Sequence, residues 1–195
     1  MITVKYREVV NTIKFTRDII NRNVELGDVC VDCTVGNGHD ISLLAKIVGD
    51  KGKVYGFDIQ KIAIDKTCKR LEDENLSGNT VLVNDSHENI SEYVREKVDL
   101  FIYNLGYLPK GDKDIKTNKD TTIKSLILSL ELLNDNGLIL ITSYTGHDGG
   151  MEEKHAIEDF LVKLEQREYN VVKYDFLNQK NFPPILYCIE KTGGN

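Results

Sequence analysis

Four apolar runs in the sequence each stop at a residue able to hold a polar ligand: Asp32, Asp58, Asp85 and Asn104. The first run, 29–31, is followed by Thr34, Gly36, Asn37, Gly38, His39 and Asp40, and then by Ile41, Leu44, Ala45 and Val48 at helical spacing. Gly36 and Gly38 permit backbone angles that a side chain would obstruct, so the loop delivers backbone N–H groups at a helix N-terminus. Such a place suits a nucleotide-like ligand. It is not a P-loop, because no Gly-Lys-Ser/Thr follows, and Ile41 stands where Gly-x-Gly-x-x-Gly has its third glycine. A glycine turn that merely joins strand to helix is the alternative at this point.

An acid at the end of a second strand can accept from both hydroxyls of a ribose, and Asp58 is placed for this; NAD and S-adenosylmethionine sites share the device. Asp85 after a third strand can accept from an adenine amino group, with His87 and Glu88 nearby. Equally, Ser86-His87-Glu88 reads as a helix start with Asp85 as its N-cap. The most specific stretch is Asn104-Leu105-Gly106-Tyr107-Leu108-Pro109. A carboxamide offers an acceptor oxygen and a donor nitrogen together, a glycine lets the backbone approach a substrate, and Tyr107 offers a stacking face for a base. The stretch resembles the Asn/Asp-Pro-Pro-Tyr motif of amino-group methyltransferases, with Leu105-Gly106 in place of the two prolines. A loop with an aromatic plug is the competing reading.

The elements that must position these residues follow from periodicity. Val9, Val10, Ile13, Ile20 and Val24 give a loose helical stripe within 1–27, a cover helix before the first strand. Strands are expected at 29–31, 53–58, 80–84, 98–103 and 138–143, with helices after each; the helix carrying Ile123, Leu126, Ile127, Leu130 and Leu133 is expected to close at Asn136-Gly137. A helix over 152–166 precedes two further strands, 169–177 and 185–191, joined too briefly for a crossover helix and therefore antiparallel. The sum is an α/β fold: a seven-stranded, mostly parallel sheet with a C-terminal antiparallel hairpin and helices on both faces. In such sheets ligands sit at the carboxyl ends of the strands, where the four polar residues fall.

The 195 residues are expected to form a single domain over 1–195, and 41% hydrophobic with 29% charged residues argues against disorder. No apolar run approaches membrane-spanning length and the N-terminus lacks a signal-peptide core, so the expected location is the cytoplasm. Cys30 and Cys33, in and just after a strand, read as packing residues, and the four histidines lack paired-ligand spacing, so no metal is expected. The net charge of −6 hides two basic groups: Lys5, Arg7, Lys14, Arg17 and Arg22 within 1–22, and Lys110, Lys113, Lys116, Lys119 and Lys124 within 110–124. They are expected either to share a face that meets nucleic acid or to be ordinary solvated surface.

Together, Asp32-x-Thr34-x-Gly36-Asn37-Gly38-x-Asp40, Phe57-Asp58-Ile59-Gln60, the 104–109 stretch with Gly111-Asp112-Lys113, and Tyr144-x-Gly146-His147-x-Gly149-Gly150 resemble the YtqB/MnmM family of class I S-adenosylmethionine-dependent methyltransferases. The resemblance spans nearly the whole chain, and Thr145 departs from the more usual family pattern. It implies a Rossmann-like methyltransferase fold and methyl transfer to the exocyclic amine of 5-aminomethyl-2-thiouridine at the tRNA wobble position. It further implies a donor site of Asp32, Thr34, Gly36, Asn37, Gly38, Asp40, Asp58, Gln60, Asp85, His87 and Asn104. Gly36, Asn37 and Gly38 would line the methionine part, Asp58 and Gln60 the ribose side, and Asp85 and His87 the adenine. Asn104, Tyr107 and Pro109 would form the methyl-transfer mouth, with Lys110, Lys113, Tyr144 and His147 on the substrate side. His147 and Asp112 are candidates for binding or proton acceptance, the alternative for His147 being a loop-fixing hydrogen bond. The implied partner is the tRNA anticodon region, then other RNA, with no DNA and no membrane; a homodimer is compatible. Ribosomal RNA or a small molecule as the methyl acceptor, an NAD-dependent oxidoreductase and a catalytically silent RNA-binding module are the rival readings.

Overall fold

The computed structural model describes residues 11–106 and 117–193. The strands are β1 (Val29–Asp32), β2 (Lys53–Phe57), β3 (Thr80–Val83), β4 (Val98–Leu105), β5 (Leu133–Ser143), β6 (Tyr169–Tyr174) and β7 (Ile185–Lys191). The helices are α1 (Thr12–Asn23), α2 (His39–Val48), α3 (Lys61–Asp73), α4 (Ile90–Tyr93), α5 (Lys119–Leu132) and α6 (Gly150–Leu161). One sheet runs β3-β2-β1-β4-β5-β7-β6. β3 through β5 pair in parallel, and β7 pairs antiparallel with both β5 and β6, as the sequence pattern predicts. Among the described residues no helix is long and apolar enough to cross a membrane.

Two apolar layers enclose the sheet, which is why its inner strands read as unbroken apolar runs. On one face Val31, Phe101, Tyr103, Leu105, Ile139 and Ile141 pack with Leu126 of α5 and Ile157 of α6. On the other, Cys30, Leu100, Ile102 and Leu140 pack with Ile20 of α1, with Ile41, Leu44, Ala45 and Val48 of α2, and with Leu71 of α3. β4 continues two residues past the expected end, through Asn104 and Leu105. Because side chains alternate along a strand, Asn104 shares the face of Leu100 and Ile102, the face that α2 covers.

Five sequence expectations are corrected. Ile13 is not part of the buried stripe of α1: it is 49% exposed, and the helix buries Thr12, Thr16 and Ile20 instead. In α5, Ile127 is 45% exposed, and the inner face is built from Thr122, Ser125, Leu126 and Ser129. The cause is Tyr103, fully buried in β4, whose hydroxyl requires partners and finds Ser125 Oγ at 2.7 Å and Ser129 Oγ at 2.8 Å. Finally, Asn136-Gly137 does not close α5. Leu133 is already extended and pairs with Val98, Leu138 pairs with Leu100, and residues 134–137 loop out between these registers with Asn136 at φ 62°. The helix over 152–166 likewise proves shorter, ending at Leu161, and β6 ends at Tyr174. Of the basic groups, Lys14, Arg17 and Arg22 lie on α1 and Lys119 and Lys124 on α5, helices that pack on opposite faces of the sheet, while Lys5, Arg7, Lys110, Lys113 and Lys116 lie outside the described residues.

Gly56 of β2 lies opposite Asp32, beneath the loop that leaves β1. A Cβ there would stand 2.5 Å from both Val35 Cγ2 and Ile41 Cδ1. Gly56→Ala is therefore expected to destabilise the protein by about 1–3 kcal/mol, the usual cost of overpacking. Urea unfolding checks this as a lowered midpoint at unchanged m-value.

Candidate functional site

The loop from β1 to α2 is shaped by two residues with positive φ, Gly36 at 54° and Gly38 at 75°. Gly38 is the N-cap of α2, and a side chain there would run into Thr67 of α3, 2.6 Å away. Beneath the loop Asp32 is almost wholly buried, with one carboxylate oxygen accepting from Thr34 N–H at 3.1 Å. Burial, followed by the neighbouring charge of Asp40, pushes its carboxyl well above the usual range.

Asp58 braces the loop from β2. Its Oδ2 accepts from Gly36 N–H and its Oδ1 from Gln60 N–H, both at 2.9 Å. Burial raises its pKa, and these two N–H groups oppose the rise. From β4, Asn104 N–H donates to Thr34 Oγ1 at 2.7 Å and its Nδ2 donates to Asp40 Oδ2 at 2.9 Å. The glycine loop and the end of β4 are thus one hydrogen-bonded unit.

Beyond β3, Asp85 is held by Ser86 N–H at 2.7 Å, by Tyr93 Oη at 2.9 Å and by Asn89 Nδ2 at 3.2 Å. Burial works against its ionisation, but the Tyr93, Ser86 and Asn89 donors outweigh it and hold the carboxyl below the usual range. The cap that the sequence left open for Asp85 is supplied by Ser86, which accepts from Glu88 N–H at 3.4 Å. His87 is buried edge-on against Tyr103, and among the described residues its Nδ1 has no hydrogen-bond partner.

These elements enclose a cleft of about 560 Å³ at the carboxyl ends of β1, β2 and β4. Thr34, Gly36, Asn37, Asp40, Asp58, Gln60, Asp85, His87, Asn104 and Tyr144 all line it. Asp32 and Gly38 do not; they support the loop from below and behind. His147 stands outside the lining, its Nδ1 paired with Asp148 O at 3.0 Å and its Nε2 3.1 Å from where a Cβ on Gly150 would sit and 3.8 Å from one on Gly106. Tyr107, Pro109, Lys110, Asp112 and Lys113 lie outside the described residues. A more open concavity of about 630 Å³ adjoins the cleft, shares Asn37 and His39 with it and continues over Lys66, Lys69 and Arg70.

Sequence reasoning missed the far wall. Ile13 and Arg17 of α1 face Thr117, Asn118 and Thr121 at the start of α5 across the cleft. Arg17 already stood out in the basic N-terminal group; Ile13 was hidden by its apolar type. Glu153 of α6, 1% exposed, was also missed, and it ties this rim together by accepting from Thr117 Oγ1 at 2.9 Å and Thr122 Oγ1 at 2.7 Å. Thr117 N–H in turn donates to Gly106 O at 3.1 Å.

Burial lowers the pKa of His87 to about 4, so the imidazole facing the cleft is neutral at physiological pH. Protonation is then favoured in the unfolded chain, and the stability this group confers is present above its unfolded pKa near 6.5 and lost as pH falls towards 4. His87→Phe is expected to flatten that acid limb by up to about 3 kcal/mol. Unfolding free energies measured from pH 7 to pH 4 on both proteins check it.

Comparison with known proteins gives consistent neighbours. Residues 54–190 match the family model described as "Putative rRNA methylase". The chain is 35% identical over 178 residues to a tRNA (mnm(5)s(2)U34)-methyltransferase, chloroplastic, of Arabidopsis thaliana, covering 86% of this chain and 65% of that protein. It spans between 28% and 65% of the length of the curated relatives it matches. A Clostridium thermocellum crystal structure described in the same words as the family superposes with a TM-score of 0.93 at 44% identity, over 95% of this chain and 100% of that one. A Streptococcus mutans protein described as a "putative methyltransferase" and solved in complex with SAH gives 0.86 at 35% identity, over 94% and 99%.

Proposed function

The chain belongs to the rRNA methylase family, and from that premise we propose that it transfers a methyl group from S-adenosylmethionine to an RNA amine, the 5-aminomethyl group of 2-thiouridine at the tRNA wobble position. The observation that carries the reading is the meeting of the glycine loop, Asp58 and Asn104 in one cleft. The choice of tRNA rests on the name of the Arabidopsis relative. In this reading the chain is one cytoplasmic domain over 1–195, and its RNA contact is the anticodon region.

The residues present fit the donor. His87 Nδ1 is a buried polar atom without a partner among the described residues, as a site for a heteroaromatic base requires. Burial first, and then the charges of Asp40 and Asp58 around the loop, raise the pKa of Asp32, and the negative charge of those two side chains suits a cation. When bound, S-adenosylmethionine would supply a sulfonium methyl carbon open to in-line attack by an amine lone pair, the C–S bond breaking as the N–C bond forms and S-adenosylhomocysteine leaving as a neutral thioether. Gly36 and Asn37 then line the amino-acid end, Asp58 with Gln60 the ribose, and Asp85 with His87 the base.

What the protein adds is orientation and the right protonation state. Orientation contributes on the order of 7 kcal/mol or more in favourable cases. A free alkylamine has a pKa near 10.4, about the Lys value, and must lose its proton to attack. Ile13 and the half-buried Tyr144 give the cleft an apolar wall that favours the neutral amine. Asn104 accepts from the amine and aims its lone pair. Tyr107, Pro109, Lys110, Lys113, Tyr144 and His147 hold the nucleoside and its backbone, and His147 or Asp112 takes the proton released.

The test is to incubate the protein and labelled donor with tRNA from cells lacking the terminal wobble methylation, then identify the labelled nucleoside by mass spectrometry. Label is expected in 5-methylaminomethyl-2-thiouridine, with kcat reduced about a hundredfold in Asn104→Ala. No label despite measured S-adenosylhomocysteine binding overturns the tRNA assignment and directs the search to ribosomal RNA. Neutralising Lys14, Arg17 and Arg22 together is expected to raise KM for tRNA and to flatten its logarithmic salt dependence by about one for each phosphate no longer neutralised, read from KM between 50 and 200 mM salt.

A further inference from the structure

We propose that Asp40 is a positioning residue that decides which end of the Asn104 carboxamide faces the methyl acceptor, an inference that rests on the methyl-transfer reading above. β4 carries Asn104 on the face covered by α2, and Asp40 sits in the first turn of that helix. The two meet at 2.9 Å, Asn104 Nδ2 to Asp40 Oδ2. A carboxylate has no proton to give, so only the amide nitrogen can face it. The backbone of Asn104 is fixed as well, through its N–H on Thr34 Oγ1 at 2.7 Å. The carboxamide oxygen is thereby left as the end available to the substrate.

That choice has a chemical consequence. An outward oxygen accepts an N–H of the incoming amine and leaves the nitrogen lone pair free for the methyl group. An outward NH₂ would instead donate to that lone pair and occupy the electrons needed for attack. An asparagine alone presents either end; one anchored to an acid presents one. Asp40 therefore acts on the acceptor through Asn104.

Exchanging the two side chains tests this. Five proteins are compared: wild type, Asp40→Asn, Asp40→Ala, Asn104→Asp and the Asp40→Asn/Asn104→Asp double variant, each checked for folding by urea unfolding. Asn104→Asp sets two carboxylates against each other, and Asp40→Asn removes the fixed acceptor, so each is expected to lose kcat with little change in KM. In the double variant the amide at position 40 donates to the carboxylate at position 104, and an oxygen again faces the cleft. Its kcat is expected to exceed that of Asn104→Asp by about tenfold, the range of coupling found between residues in direct contact. In the free protein, the side-chain amide protons of Asn104, assigned by their loss in Asn104→Asp, are expected to exchange faster in Asp40→Ala. A double variant no better than Asn104→Asp overturns the proposal, as does an unchanged amide exchange. If wild type fails to methylate RNA, the methyl-transfer reading falls, while the exchange measurement still judges the Asp40 contact.

Discussion

The pairing of β1 with β4 is the constraint on which the site depends. β2 and β3 extend the sheet to one side of β1, so the chain must cross to the other side before β4 can form. The helices that follow the two strands then leave to opposite faces, α2 packing with Leu44 and Val48 on one and α5 with Leu126 on the other. Between their departures the carboxyl ends of β1 and β4 stay uncovered, and a crevice opens there without any further device. The pairing even continues past the ladder: Cys33 N–H donates to Ile102 O at 2.9 Å, and Asn104 N–H reaches Thr34 Oγ1.

Charge separates this crevice from a dinucleotide site of similar outline. A pyrophosphate needs N–H groups unopposed by negative charge at the helix start. Here Gly36 N–H is consumed by Asp58, Asp40 stands in the first turn of α2, and Asp32 lies buried below. An anion would meet the carboxylates of Asp40 and Asp58; a cation would be drawn to them. The glycines serve close approach and turning, and phosphate recognition has no part in them.

Much of this was legible in the sequence because strand ends are fixed by where an apolar run stops. Asp58 needed only that rule, although β4 ran on past it through Asn104 to Leu105, and the closing antiparallel pair needed only the shortness of its connection. Residues whose placement depends on a partner distant in sequence escaped it. Ser125 and Ser129 point inwards because a tyrosine hydroxyl lies beneath them, which no periodicity of apolar residues in α5 records. Ile13 looks like core and lines the cleft, since nothing in α1 itself tells which face meets the sheet. Asp85 had two plausible partners by type, and its neighbour Ser86 took the capping role by being one residue nearer.

The Tyr103 hydroxyl, caught between two serines one helical turn apart, has a mechanical effect. Sliding α5 along the sheet by one residue, or rolling it by one position, would strand that hydroxyl in an apolar layer. Helix and strand consequently move as one body, and the start of α5, with Asn118 and Thr121, keeps a fixed distance from Asn104. The width of the cleft between them is thus set by a contact buried beneath it, one that no ligand touches.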